Sequence, residues 1–410
     1  MTAKFVSITK RQTIYFYLTI IYFDNPLTNL PSSYSMISKA FNYLILLSLL
    51  CVCTISVNAA NAAQTIITNN GINPSNKAFL AFNSEAGESY EVHRSSDLAQ
   101  WQGMKTFSGT DSTLTWVDPE PLTGKHFFRV ASIQTSGTNL ATGDTLTVTQ
   151  SWSQESNYAR TATVSVPAGP GPHPVVIALH GNGGNSGFAN SFGYLNQMIR
   201  IGPQGYLNSW NIKSEQSKAP DVNFIRDLIL QLRTYDNVDA GRIILIGSSN
   251  GAALVNRLLI ELDGALFQEA IKLVGQMNAN QFNNGQFWYN PTGTNSYNTS
   301  IAPAYGRRIL SLTGTNDILV PYTGGNGVLG YNFLHAGESI YQFAKQMGYT
   351  GSKIPEANGV LFNTDIYKYS YLGGAVVMYK LIGGDHGLNP FTGAQGGQVG
   401  GLIKHFLGHP

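Results

Sequence analysis

The sequence predicts an α/β protein: a mostly parallel sheet with helices on both faces, preceded by a small β-sandwich. Three observations carry this reading. From residue 145 to the C-terminus, continuous apolar strands alternate with helical segments, the pattern of strands buried on both faces. Between about residues 65 and 132 the apolar runs are short, alternating and separated by turn residues instead. Finally, a chain of 410 residues that is 43% apolar and 12% charged can bury the cores of two folded units.

The N-terminal region reads as leader. Residues 1–35 carry an apolar stretch, Ile14 to Phe23, in front of what is already a complete signal starting at Met36. They lie upstream of the true translation start or belong to an unusually long leader, and they are left out of the fold prediction. Residues 36–62 combine Lys39, an apolar core and the small-residue exit Asn58-Ala-Ala-Asn-Ala-Ala63, which describes a secretory signal cleaved between Ala59 and Gln64. The exit and the polar stretch after it disfavour the rival reading, a membrane anchor. Leu50 and Val52 precede Cys51 and Cys53, so the small residue a lipoprotein signal needs is missing. The mature chain is then secreted or periplasmic, without a stable membrane anchor. It has no cysteine, and so neither disulfide nor thiol nucleophile.

Residues 64–133 form the predicted sandwich, with strands at Ala78–Phe82, Ser89–Arg94, Thr113–Val117 and His126–Val130. The run Ser89-Tyr-Glu-Val-His-Arg-Ser-Ser-Asp-Leu-Ala-Gln-Trp101, with Phe128-Arg-Val130, resembles the fibronectin-type-III-like modules appended to secreted bacterial proteins. As a binding module it would present Trp101 or Trp116; as a spacer it would bury them, and buried aromatics are the commoner case in small sandwiches. A polar linker, residues 134–144, follows.

The unit at 145–410 opens with strand Pro174–Leu179 and a glycine-rich loop. Val222, Phe224, Ile225, Leu228, Ile229 and Leu232 recur at helical spacing and predict a helix over Asp221–Leu232. Strand Arg242–Ile246, a helix from about Asn250 to Leu262, and strands Ile309–Leu312 and Ala375–Tyr379 complete the pattern. Sheets of this kind place their sites at the carboxyl ends of the strands. The net charge of +2, with no run of Lys and Arg, argues against a nucleic-acid partner.

Gly247-Ser-Ser-Asn-Gly251 fits G-x-S-x-G with Ser249 at its centre. Alone the match is weak, since chance gives about 0.4 in a chain of this length and composition. Its context, an apolar strand before and a helix directly after, is that of a nucleophile elbow. There Ser249 is the candidate nucleophile and Asn250 offers a helix N-terminal N–H to an oxyanion. The loop His180-Gly-Asn-Gly-Gly-Asn185 is the candidate for the second oxyanion donor, at Asn182 with Gly183 as runner-up. Its glycine spacing misses a dinucleotide fingerprint, and His180 reads as a hydrogen-bonding residue of the loop rather than a base. A serine needs a base. Among eight histidines, His386 follows the last apolar strand in a glycine-rich loop and is the candidate. Asp317, after strand Ile309–Leu312, is the candidate to orient it, in the order Ser, Asp, His; Asp385 is the rival.

These segments resemble the polyhydroxybutyrate-depolymerase-type esterases, the group that also holds bacterial feruloyl and acetylxylan esterases. The resemblance runs from about Thr145 to the C-terminus. It rests on His180–Asn185, Ser209-Trp-Asn211, Asp221–Arg226, Asn237–Gly251, Gly314–Tyr322 and Gly383-Gly-Asp-His386. It implies an α/β-hydrolase fold, acyl-enzyme chemistry on Ser249 with His386 as base and Asp317 as orienter, and no metal or cofactor. The partner is then an ester substrate, which a polymeric polyester or plant or algal polysaccharide ester would satisfy. Two departures fall on the substrate side. Relatives often carry a cysteine pair where this chain reads Ile212-Lys-Ser-Glu215, and many continue from the histidine into Trp-Pro, where Gly387-Leu-Asn-Pro390 stands here. Trp210, Trp288, Tyr289 and Tyr322 are the candidate substrate-binding aromatics. Asn278–Ser300, rich in Asn, Gly and aromatics, reads either as a binding loop or as an insertion with a tucked-in aromatic cluster. A serine peptidase and a binding protein on an inactive hydrolase scaffold are the rival functions.

Overall fold

A computed structural model describes residues 4–6, 20–23, 67–86, 88–97, 101–133, 137–290 and 296–408. The signal segment at 36–62 lies outside the described residues. The chain divides into a smaller unit, drawn from residues 1–83, 93–101 and 113–131, and a larger one of residues 84–92, 102–112 and 132–410.

In the smaller unit, strands Ile67–Ile72, Ala78–Asn83 and Thr113–Val117 form an antiparallel sheet. Trp116 is buried in it, 5.6 Å from the Phe128 ring. Trp101 is half-buried with the Arg129 guanidinium 4.4 Å from its ring. The Trp116 indole therefore serves packing. Ile20–Phe23, inside the predicted leader, pairs antiparallel with the start of strand His126–Ile133.

The larger unit is built on a ten-stranded sheet. In chain order its strands are β1 (Thr145–Trp152), β2 (Glu155–Ser165), β3 (His173–Leu179), β4 (Ile199–Pro203) and β5 (Val238–Ser248). They continue with β6 (Glu269–Leu273), β7 (Arg308–Gly314), β8 (Val360–Asn363), β9 (Ile366–Tyr371) and β10 (Val376–Leu381). The spatial order is β1-β2-β4-β3-β5-β6-β7-β10-β9-β8. From β4 to β10 every neighbour is parallel; the pairs at both margins are antiparallel.

Parallel strands need helical crossovers, and these cover both faces. Helices α1 (Asp221–Leu232), α2 (Asn250–Glu261) and α3 (Ala336–Gln346) pack on the face that Val175, Ile177, Leu179, Ile243 and Leu245 present. Helix α4 (Gly397–Leu407) and the short turn of helix at Ser186–Phe192 cover Val176, Ala178, Ile244 and Ile246 on the other. Consecutive residues of β3 and β5 thus enter different cores, which is why those strands read as unbroken apolar runs. Among the described residues no helix is long and apolar enough to cross a membrane.

One buried ion pair ties the margin of the sheet to the site. Arg160 on β2 meets Asp221, the first residue of α1, at 2.6 Å, both side chains fully buried. Asp221 also accepts from the Asn211 N–H at 2.6 Å. Asp221→Ala leaves the guanidinium uncompensated and is expected to cost about 3–5 kcal/mol in urea unfolding.

Lys272 on β6 is fully buried, its Nζ without a hydrogen-bond partner and 4.5 Å from the ring of Phe343 on α3. Burial pushes its ammonium down to about 7. The unfolded chain holds this proton up to about pH 10.4, so between about 7 and 10.4 it binds more protons than the folded one. Stability therefore rises with pH in that window, by up to about 1.4 kcal/mol per unit, and the burial penalty is fully felt below it. Lys272→Met is expected to be more stable than the parent at pH 7 and to flatten this rise, read from urea midpoints at pH 6–9.

Candidate active site

Ser249 is the single residue between β5 and α2. Its φ of 54° and ψ of −116° lie where L-residues seldom go, a strain of about 1–3 kcal/mol held by the surroundings. The Ser249 N–H donates to the Leu273 carbonyl at the end of β6, and its own carbonyl accepts from Ala253 in α2, both at 2.9 Å. Two glycines make room. A Cβ at Gly247 would lie 2.3 Å from the Gly251 carbonyl oxygen, and one at Gly251 only 2.1 Å from that of Leu179 on β3. The turn therefore admits no side chain at either position, and Oγ stands at the carboxyl edge of the sheet.

Asp317 follows β7 and His386 follows β10, so parallel pairing of those two strands brings both loops to the same edge. His386 Nε2 is 2.8 Å from Ser249 Oγ, and its Nδ1 is 2.8 Å from Asp317 Oδ2. The other carboxylate oxygen accepts the Leu319 and Val320 N–H groups, each at 2.9 Å. Asp317 is buried, while the His386 ring is about a quarter exposed, 24%. With Nδ1–H donating to Asp317, Nε2 faces the serine as an acceptor. Asp385, the rival, turns away. Its carboxylate accepts from the Asn389 and Gly387 N–H groups, and these bonds, Asn389 foremost, hold it below the usual carboxylate range.

The loop after β3 runs beside the elbow, since a Cβ at Gly181 would sit 3.5 Å from Ser249 Cβ. Within it Gly183 donates to the Asn208 carbonyl at 2.8 Å and Gly184 to that of Gly181 at 3.0 Å. The Gly183 N–H is thereby engaged, whereas Asn182 is an exposed residue. The Asn250 amide is at the N-terminus of α2. His180 is buried. Its Nδ1 is 2.7 Å from the Gly181 carbonyl and its Nε2 accepts from the Gly205 N–H at 3.0 Å, which assigns a neutral ring with the proton on Nδ1. Burial pushes its pKa down, in keeping with that role.

Two of the four candidate substrate aromatics, Trp210 and Tyr322, are buried. Trp210 is fully buried, with its indole N–H donated to the His180 carbonyl at 2.8 Å. It supports the glycine-rich loop from below and has no surface for a substrate. Tyr322 is buried as well, edge-on to His335 with ring centres 4.9 Å apart. Trp288 and Tyr289 are half-buried on strand Gln286–Tyr289 of a small antiparallel sheet within the Asn278–Ser300 segment. That sheet walls a cleft of about 420 Å³ with Phe282, Phe287, Ile301 and Lys345, apart from Ser249, Asp317 and His386. Residues 291–295 lie outside the described residues.

Two residues passed over in the sequence reach the elbow. Glu215 and Tyr331 are buried; Glu215 meets the Asn250 side chain, and Tyr331 meets Glu215. In the sequence Glu215 stands beside Lys213 and Ser214 in the segment that departs from the resembled group, and that pattern does not show it to be buried.

A mostly parallel sheet whose strand runs through a G-x-S-x-G turn into a helix, with a loop amide beside the serine, is the architecture of the α/β-hydrolase fold. No protein-family model matches the chain, and no curated protein does. Among solved structures the chain is similar to an acetyl xylan esterase from Aspergillus awamori, at 20% identity and a TM-score of 0.40, over 65% of this chain and 99% of that one. Thermogutta terrifontis esterase 2, phosphonylated by cyclosarin, is similar at 15% identity and a TM-score of 0.40, over 65% and 94%. LpqC, a poly(3-hydroxybutyrate) depolymerase from Bordetella parapertussis, is similar at 15% identity and a TM-score of 0.36, over 51% and 80%.

Proposed function

We propose that the chain hydrolyses carboxylic esters through an acyl-enzyme on Ser249. The observation that carries this reading is the relay in which His386 stands 2.8 Å from Ser249 Oγ on one side and 2.8 Å from Asp317 on the other. A buried carboxylate fixed by two N–H groups holds the imidazole in the tautomer that can take the serine proton. Ser249 then attacks the carbonyl carbon. The Asn182 and Asn250 amides receive the charge that develops on its oxygen, and the imidazolium returns its proton to the departing alkoxide. Water, deprotonated by His386, adds to the acyl carbon, and collapse of that adduct restores the Ser249 hydroxyl and releases the acid.

Apolar side chains rim the site. Leu207 is 54% exposed on the turn whose Asn208 carbonyl holds Gly183, and Ile318 and Leu319, 84% and 41% exposed, follow Asp317 directly. Such a rim favours a substrate with an apolar face. The signal at 36–62 supports export, and residues 64–133 are read as an accessory module. The test is hydrolysis of p-nitrophenyl acetate, butyrate and octanoate and of methyl ferulate by the full chain and by Ser249→Ala. Activity that vanishes in the variant supports the reading, and the acyl preference chooses among polyester, feruloyl, acetyl and short-chain esters. No activity on any of the four, or activity indifferent to the substitution, would leave the inactive-scaffold binding protein in its place.

A further inference from the structure

We propose that Glu215 is a positioning residue, whose buried carboxylate sets, through the Asn250 side chain, the spacing of the two oxyanion amides. The proposal rests on the esterase reading above. It starts from the Asn250 carboxamide, which belongs to the residue directly after the nucleophile. Its Oδ1 accepts from the Trp210 N–H at 2.7 Å and its Nδ2 donates to the Trp210 carbonyl at 3.0 Å, a reciprocal pair of the kind two strands make. The same Nδ2 donates to Glu215 Oε1 at 3.2 Å. Trp210 in turn gives its indole N–H to the His180 carbonyl, two residues before Asn182. One hydrogen-bonded path therefore runs from the amide at Asn250 to the loop that carries the amide at Asn182.

Glu215 is the fixed point of that path. Only 5% exposed, it also accepts from the N–H groups of Ile212 at 2.9 Å and Lys213 at 2.8 Å, and from the Tyr331 hydroxyl at 3.0 Å. Tyr331 accepts from the Ser214 N–H at 2.9 Å, and Lys218 Nζ closes the turn on the Lys213 and Glu215 carbonyls. Burial, and next the Glu215 charge, push the Tyr331 phenol well above its ordinary range, so it stays a donor to the carboxylate. A negative charge this close to the elbow opposes the charge that develops on the substrate oxygen. Its presence is therefore explained by geometry: a carboxylate has the acceptor sites to hold a turn, a phenol and the Asn250 amide at once. This is the segment, Ile212-Lys-Ser-Glu215, at which the sequence departs from the group it resembles.

Amides that position charge only in the transition state act on kcat, and displacing them leaves ground-state binding alone. The test compares the full chain with Glu215→Ala, Glu215→Gln and Tyr331→Phe. The rates are taken on p-nitrophenyl butyrate per active site titrated with a fluorophosphonate, so unfolded protein does not count. Glu215→Ala is expected to lower kcat per site about 100-fold with KM within about twofold, and to weaken a trifluoromethyl ketone inhibitor by the same factor as kcat/KM. Glu215→Gln keeps one acceptor oxygen and the volume, and is expected to lose only about tenfold; Tyr331→Phe, several-fold. If Glu215→Ala does not fold, those two variants decide. Unchanged kcat per site, or a rise in KM alone, would overturn the positioning role while the esterase reading stands. A parent chain that neither turns over ester nor reacts with the fluorophosphonate would overturn both.

Discussion

Ser249→Ala is expected to lower kcat for ester hydrolysis by about 10⁴–10⁶-fold while shifting stability by no more than about 1 kcal/mol. The two halves of that expectation come from different features of the elbow. Without Oγ no acyl-enzyme forms, and His386 is left 2.8 Å from a position that holds no nucleophile. Residual turnover would come from water held between the imidazole and the Asn182 and Asn250 amides. Stability is spared because Ser249 ties the turn together with its backbone, through Leu273 and Ala253, and alanine keeps both bonds. The strained φ of 54° is as costly for alanine as for serine. Initial rates on p-nitrophenyl butyrate, with thermal melts of both proteins, read the two effects separately. A variant that retains a tenth of the parent rate would remove Ser249 from the chemistry.

Asp317→Asn is expected to cost about 10⁴-fold in kcat/KM at pH 7, with the loop around it unchanged. The hydrogen bonds decide which way the new amide faces. One carboxylate oxygen is already engaged by the Leu319 and Val320 N–H groups. In the variant, the amide oxygen must take that place, which turns Nδ2 toward His386. Two N–H donors then face each other unless the imidazole moves its proton from Nδ1 to Nε2, and in that tautomer it cannot accept from Ser249. A loss below about tenfold would mean that another group orients the imidazole. Asp385 is the nearest alternative in sequence, but its carboxylate is committed to Gly387 and Asn389.

Much of the elbow was legible because its rules are local. A strand, a sharp turn and a helix leave their mark within Arg242–Leu262, and the glycines at 247 and 251 stand where a Cβ would strike backbone. Helix α1 was legible for a similar reason: its buried residues repeat with the helical period, and its observed bounds, Asp221–Leu232, coincide with the expected ones. Strand β6 was not. Glu269-Ala-Ile-Lys-Leu273 carries a charge at its start and another next to its end, which hides a central strand. It is a central strand because β5 and β7 pair with it on both sides, and no property of five residues announces that. The outer strands β1 and β2 alternate as a half-buried sheet does, a weaker signal than the apolar runs that follow.

The sequence by itself determined the class of sheet, the strand–turn–helix around Ser249 and the short list from which Asp317 and His386 come, since each depends on a residue and its immediate neighbours. Tertiary structure decided what each side chain faces. The same indole at Trp210 that reads as a substrate contact is buried under His180, and Glu215, to which the sequence assigns no role, is enclosed by Ile212, Asn250 and Tyr331. The physical reason is range. Turn and helix preferences act over a few bonds, whereas the hydrogen bond between Ser249 and His386 joins residues 137 positions apart, and only the folded chain brings those together.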